Sequence, residues 1–517
     1  MGSDLEEKKE QVRIGWAKRE ISTNDPVSIR GQFYVRVSEG IHDPLYVTAM
    51  CIDGGAGQDA FIFCSCDVVV ITTELYLAVY AKLRELRPDI PEQMLILGAT
   101  HTHSSVTCQP TPPKAPDGRE IYPGEKTCQE VAKKIVEAAG EAWDNRRYGG
   151  IGYGYGYAVV GHSRRTIYLK DMEKKYSRPS APQGHGIMYG KTMDEDFSHF
   201  EAGADHFLNL MFTFDENRKL TGIVVNVPCP SQTSEHFLKL SADYWNEVRE
   251  LVSQEYGPEV FVLPQCAAAG DMAPRLLYYR KAQNRRFHLK YGIPLDRVGK
   301  SGGLIPSEYN LAMAERRDMA ERIFLGIQDV YSWAVKDIQE RVAVQHLREE
   351  VMLKRRMIQE EELEWCKKGI AAAKAEIPDP AESTPEEYSK AVSRFHSIEG
   401  RNNRLMERYK AQEEKPRLPY VIHTMQVGEI AFATNPFELY IDYMHRIQAR
   451  SPFIQTFIVQ LAGDDTAGYL STERATKNKG YSASMFDNRV GYEGGQELVE
   501  YTLNALERIR LEKRRLL

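Results

Sequence analysis

Two histidines separated by one residue, His101 and His103, end the apolar run Met94-Leu-Ile-Leu-Gly-Ala-Thr-His-Thr-His-Ser104, which reads as a buried strand. Alternate residues of a strand point to the same side, so both imidazoles can project together from its end. Converging neutral imidazoles suit a metal such as zinc, which takes His nitrogen at about 2.0–2.1 Å. A turn with two solvated histidines uses the same spacing, so the rest of the chain has to decide.

Other strand-to-loop junctions carry reactive groups. The strand over 220–227 runs into Pro228-Cys229-Pro230-Ser231-Gln232, followed by Ser234-Glu235-His236. A thiolate is a good zinc ligand, and His236 is the rival for the same place. The strand over 260–265 leads into Ala268-Ala-Gly-Asp-Met-Ala273-Pro, and Gly428 to Glu438 puts a carboxylate at a strand-to-helix turn. A later strand precedes Gly468-Tyr469-Leu-Ser-Thr, with Tyr492-Glu-Gly further on. Arg164 and Arg165, in Gly161-His-Ser-Arg-Arg, could fork onto a carboxylate or a hydroxyl-rich substrate.

The elements that must position these groups alternate. Strands are expected over 45–53, 60–70 and 94–100, with a helix over 72–87 between the last two; this predicts an α/β (mixed α+β) core. The Gly/Tyr alternation over 149–160 predicts a strand closely approached by other backbone. Further strands are expected at 208–214, 220–228, 260–265, 420–427, 429–434 and 453–462, and residues 275–310 read as basic, aromatic loops. Residues 312–415 are charge-dense and helical in pattern, a helix followed by a partly projecting antiparallel hairpin. The resulting organisation is one catalytic domain over 11–330 and 416–517, a charged helical insertion over 331–415, and a start, 1–10, that is disordered or vector-derived.

The 517 residues include 42% hydrophobic and 27% charged side chains, an ordinary globular balance. A net charge of −6 argues against a general nucleic-acid partner. No apolar run approaches the roughly 18 residues of a transmembrane helix. The eight cysteines show no CxxC pair or small-domain disulfide spacing. As written, the charged start predicts a cytoplasmic protein; a removed leader would make it secreted or periplasmic. The helical insertion is a candidate surface for homo-oligomer formation.

Taken in order, Ile14-Gly-Trp-Ala, Ile41-His-Asp-Pro-Leu-Tyr, Asp67, Ala99-Thr-His-Thr-His-Ser, Leu240-Ser-Ala-Asp, Gly270-Asp-Met-x-Pro, Gly428-Glu and Tyr492-Glu-Gly resemble the neutral (non-lysosomal) ceramidase family, in its zinc-binding catalytic domain. The resemblance spans nearly the whole chain except the helical insertion, and implies a large mixed-sheet core. It implies a zinc ion held by His101, Glu438, Tyr469 and, in place of the family's second histidine, Cys229. It places His103 on the substrate as acid/base, with Arg164 or Tyr492 polarising the electrophile and Arg165 and His236 lining the substrate site. Where the family carries a catalytic serine this chain has Ala273, which can neither attack nor carry a proton. The implied reaction is therefore hydrolysis by metal-activated water, on an amide or related bond of a polar, sugar-like small molecule rather than ceramide. A metal-dependent lyase or epimerase working by proton abstraction, and a non-catalytic scaffold, stay open beside it.

Overall fold

The structure, a computed structural model, describes residues 11–516 apart from 56, 177–181, 300–301 and 465, with side chains through Leu511; residues 1–10 lie outside it. Its larger sheet has eight strands: β1 (Arg13–Glu20), β2 (Tyr46–Asp53), β3 (Ala60–Cys66), β4 (Leu95–Ala99), β5 (Arg147–Tyr157), β6 (Phe207–Asp215), β7 (Leu220–Val227) and β8 (Phe261–Cys266). Their order is β8-β7-β6-β5-β1-β2-β3-β4. The pairs β3/β4 and β7/β8 are parallel and the others antiparallel, which makes the sheet mixed as expected. Strands β3 and β4 are buried along their whole length, and such strands read as continuous apolar runs because both faces are covered.

One face of this sheet packs on helices α1 (Thr73–Leu86), α2 (Gly124–Asp144), α3 (Tyr244–Tyr256) and α4 (Glu308–Ala334). The other face meets a second, four-stranded sheet of β9 (Val344–Lys354), β10 (Arg417–Val427), β11 (Ile430–Thr434) and β12 (Gln455–Val459). Trp16, Phe63, Met211 and Leu263 from the first sheet interdigitate with Met425, Phe432 and Phe457 from the second. Helices α7 (Ile441–Arg450) and α8 (Tyr492–Leu516) cover the outer face of the second sheet. The result is four layers, helices–sheet–sheet–helices, with apolar cores between them. The glycines of β5 serve as expected: at Gly152 and Gly154 a β-carbon would run into Ala334 and Trp333 of α4.

The region 312–415 differs from expectation. Helix α4 belongs to the body, and Val344–Lys354 is the edge strand β9, paired residue for residue with β10. Its exposed Arg348, Glu350 and Lys354 masked the strand, because an edge strand tolerates charge on its open side. The insertion proper is the hairpin of α5 (Glu360–Ala375) and α6 (Pro385–Ala411), the latter opened by Thr384 and Glu387 in a reciprocal capping box. Asn402 donates to the Cys366 carbonyl at 3.0 Å and ties the two helices together. The hairpin folds back onto the body instead of projecting: Leu405 and Trp365 pack on Met485 and Phe486, and Arg408 donates to the Met485 and Asn488 carbonyls. Within 275–310, expected as loop, Arg280–Tyr291 is helical.

Candidate functional site

His101 follows β4 with φ = 61°, a left-handed conformation that a non-glycine residue rarely adopts and that clusters at functional sites. The twist turns its ring so that Nδ1 lies 2.6 Å from the Val69 carbonyl. That contact assigns the proton to Nδ1 and leaves the Nε2 lone pair free. Nε2 lies 3.4 Å from Glu438 Oε2. Glu438 and Leu439 form a short parallel ladder with Tyr469 and Leu470, which sets the Glu438 carboxylate beside the Tyr469 side chain. The ladder is held from behind, as Gly270 donates its N–H to the Leu439 carbonyl at 2.8 Å and Gln460 Oε1 accepts from both Ala269 and Leu439.

His103 stands against the same point from the other side. Its Nε2 is 3.4 Å from His101 Nε2, and its Nδ1 is 3.4 Å from Glu235 Oε2, close enough to share charge without an aligned hydrogen bond. The buried Arg36 guanidinium donates to the carbonyls of both His103 and Glu235, at 2.5 and 2.6 Å, and so fixes the two loops together. Gly31, at φ = 118°, lets the neighbouring loop lie directly on the His103 backbone. Arg164 completes the cluster: it donates to Tyr469 Oη and Tyr189 Oη, each at 3.2 Å, and to the Gly270 carbonyl at 2.8 Å, with Glu438 3.9 Å away.

Burial and charge set the protonation states. Burial keeps the His103 imidazole below its ordinary value, against the pull of Glu235, so it is neutral. Burial works against ionisation of Glu235, yet His103 and Arg275 outweigh it and bring the carboxyl to about 2. Glu438 is held below its ordinary value in the same way, with His101 and Arg164 overcoming burial. Burial and the Glu438 carboxylate push the Tyr469 phenol well above its usual range. The site thus offers a neutral imidazole base, two carboxylates and a fixed guanidinium.

His103, Glu235, Arg164 and Tyr469 line the inner end of a cavity of about 580 Å³, bounded by Phe33 and Tyr34, by Tyr176 and Tyr189, by Tyr481, and by helix α6 of the insertion; His101 and Glu438 stand behind them, against His103 and Arg164. Helix α6 contributes Glu387, Lys390, Arg394, Ser397, Ile398 and Arg401. One face of the charge-dense insertion is thus a wall of the site.

Of the residues marked in the sequence, His101, His103, Arg164, Glu438 and Tyr469 come together and four others do not. The Cys229 thiol is buried and lies 3.5 Å from the Val160 and Pro230 carbonyls, and burial pushes it well above its ordinary value. Residue Pro230 redirects the loop, and Ser231 and Gln232 reach the site instead: Ser231 accepts the His103 N–H, and Gln232 donates to Tyr189 Oη at 2.6 Å. His236 is 54% exposed and touches only the outer oxygen of Glu235, at 3.7 Å. Arg165 is fully buried in a pair with Glu201 at 2.5 Å and does not line the cavity. Tyr492 begins α8 and lines a separate cavity with Tyr443 and Arg446. Ala273 is buried in a two-strand ladder opposite His162. Glu235, Tyr189, Gln232, Tyr481 and Arg275 were not singled out. Glu235 adjoins His236, and acidic residues beside a candidate histidine are the signal that finds it.

Among the described residues, no three or more His, Cys, Asp or Glu side chains are arranged to hold a metal ion. Any ion here would depend on the Tyr469 hydroxyl as well. The existing donors suit one: a tetrahedral ion with ligands at 2.0–2.1 Å separates them by about 3.4 Å, and His101 Nε2 and Glu438 Oε2 stand 3.4 Å apart. The Val69 contact behind His101 is the kind of outer partner that orients a ligating histidine.

No protein-family model matches the chain, and no curated protein does. Solved structures do. A neutral ceramidase from Pseudomonas aeruginosa superposes with a TM-score of 0.62 at 16% identity, covering 96% of this chain and 75% of that one. A ceramidase complexed with C2 gives 0.61 at 15% identity, covering 98% and 76%. No helix among the described residues is long and apolar enough to cross a membrane. The four-layer fold of this chain is the fold of the neutral ceramidases.

Proposed function

We propose that the protein is a metal-dependent hydrolase acting on an amide or related bond of a polar small molecule. The observation that carries the reading is the convergence of His101 Nε2 and Glu438 Oε2 at 3.4 Å, directly behind Tyr469 and His103, which line the cavity. A zinc ion held by His101, Glu438 and Tyr469 would supply Lewis acidity and a water acidified toward neutral pH.

The chain's own groups account for the remaining chemistry. His103, neutral, takes a proton at Nε2, and the ionised Glu235 beside Nδ1 stabilises the imidazolium that results. The same imidazolium then returns the proton to the leaving amine or alkoxide. Arg164 presents a permanent positive charge where an oxyanion would form, held in place by Tyr189 and the Gly270 carbonyl. Ala273 supplies no nucleophile, so the attacking oxygen comes from water. The cavity wall sets aromatic rings beside charged groups, a combination that suits a sugar derivative.

The test incubates full-length protein with a panel of N-acylated amino sugars, simple amides and ceramide in oxygen-18 water, with zinc or with a chelator. Solvent oxygen in the product, lost on chelation and in Glu438→Gln, supports the proposal. Turnover indifferent to chelation refutes the metal, and turnover without solvent oxygen refutes hydrolysis.

A further inference from the structure

The cavity is unevenly charged. Five cationic side chains line it, Arg164, Arg275, Lys390, Arg394 and Arg401, against two carboxylates, Glu235 and Glu387. At the inner end the charges have partners: Arg164 is bound to Tyr469 and Tyr189, and Arg275 pairs with Glu235 at 3.0 Å. Glu387 is turned back onto Thr384 in the capping box of α6. The three cations of the insertion are placed differently. Lys390 sits 4.3 Å over the Tyr34 ring at the rim, and Arg394 is exposed beside it.

Arg401 is the informative one. Its guanidinium stacks 4.0 Å from the Phe486 ring, while Nε and Nη2 are buried and donate to no partner among the described residues. The nearby Asp487 carboxylate supplies an opposing charge and accepts from the Ser482 N–H at 3.1 Å and the Ser484 hydroxyl at 2.6 Å on one oxygen. A buried cation with unmade hydrogen bonds is costly, and burial depresses its affinity for the proton accordingly. Arg401 lines the cavity, and its planar fork, with two donors just beneath the wall that have no partner among the described residues, has the geometry that carboxylates and sulfates match. Between Arg401 and the reacting groups lie Tyr481, whose hydroxyl is 3.5 Å from that of Tyr469, and Phe33 edge-on to it at 5.5 Å. These rings offer flat contact for a sugar.

We propose that helix α6 supplies an oxyanion-recognition subsite, centred on Arg401 with Lys390 and Arg394 at its rim, and that the substrate is an acidic sugar derivative bearing a carboxylate or sulfate. The anionic group docks at Arg401 while the ring lies across Tyr481, which brings the opposite end to His103 and Arg164. Only that placement of the scissile bond rests on the hydrolase reading; the subsite itself does not.

The test measures binding of glucuronate, N-acetylglucosamine 6-sulfate and neutral N-acetylglucosamine to the full chain by titration calorimetry at two salt concentrations. It uses the Glu438→Gln background, so that turnover plays no part. At least one acidic probe should bind roughly tenfold or more tightly than the neutral sugar, and Arg401→Gln should remove that advantage. The exposed pair Lys390→Gln/Arg394→Gln, which cannot empty a core, should weaken the acidic probe and flatten its salt dependence. Equal binding of neutral and acidic sugars overturns the proposal. So does acidic binding unchanged in a folded Arg401→Gln protein or, should that variant not fold, unchanged in the double variant. Acidic binding without any turnover by the wild type would sink the hydrolase reading and leave the subsite standing.

Discussion

Substituting Gly270 by alanine tests whether the Glu438 ladder positions chemistry. Gly270 is not among the residues with positive φ, so alanine meets no conformational strain there. The obstacle is contact alone: a β-carbon would stand 2.8 Å from the Glu438 carbonyl carbon and closer still to its oxygen. Ordinary carbon–carbon contact is about 3.5–4.0 Å, so one of the two backbones must retreat by about 0.7–1 Å. Gly270 cannot easily be the one, since its N–H is bound to Leu439 and its carbonyl to Arg164, both at 2.8 Å. The Glu438 strand therefore moves. Metal ligands tolerate about 0.2 Å, and a misplacement near 1 Å costs on the order of 100-fold in rate. Overpacking of this size costs about 1–3 kcal/mol of stability. Gly270→Ala should thus remain folded, with a Tm lowered by several degrees, while kcat/KM falls roughly 100-fold and bound zinc drops. Kinetics on the best panel substrate, metal analysis and calorimetry on one preparation decide it. A variant with wild-type turnover and metal content would show that Glu438 does no more than pack.

Three further outcomes follow from the same geometry. His103→Asn should lower kcat by about 10²–10⁴ while bound metal stays unchanged; loss of metal along with rate would make His103 a ligand. Cys229→Ala should leave metal content and its titration by chelator as in the wild type, because the thiol faces the Val160 and Pro230 carbonyls; a metal-free variant would return the thiol to the shell. Asp318 is 3% exposed between Arg286, Lys290 and Arg322, and although burial opposes its ionisation these cations hold its carboxyl at about 2. A depressed carboxyl contributes stability above its unfolded value near 3.9 and loses it as pH falls through its folded value. Asp318→Asn should cost about 2 kcal/mol at pH 7, with the denaturation curves of variant and wild type converging toward pH 2.

The strand ends and their reactive residues were legible because each depends on local signals. The apolar run of β4 is written in a few neighbouring residues. Strand β9 was not, because its stability comes from an eleven-residue pairing with β10 across the sequence of the hairpin. Cys229 shows the same limit within the site. Its type and its neighbours suit a ligand, but whether a side chain turns toward His101 or away depends on Pro230 and on the packing of Val160. No spacing rule encodes that turn. Arg165 failed for a related reason: it opens the short strand Arg165–Tyr168 and is spent on Glu201, while Arg164 just before that strand reaches the cavity.

The division of labour over the fold has a physical logic. Position 273 is fully buried in its ladder with His162, where an alanine packs and offers no side-chain nucleophile. His101 and His103 follow β4, and Glu438 opens the short ladder with Tyr469, so these groups sit on backbone fixed by the sheets. Recognition can change without disturbing them only from outside the layers. The hairpin of α5 and α6 does this, since it joins the body through Met485, Phe486 and Asn488 and lays one helix face across the cavity. A wall attached through those residues can vary its side chains with little effect on the geometry of His101 and Glu438. Affinity for acidic ligands should therefore respond to α6 substitutions, and kcat to substitutions at the strand ends, with little crossover between the two sets.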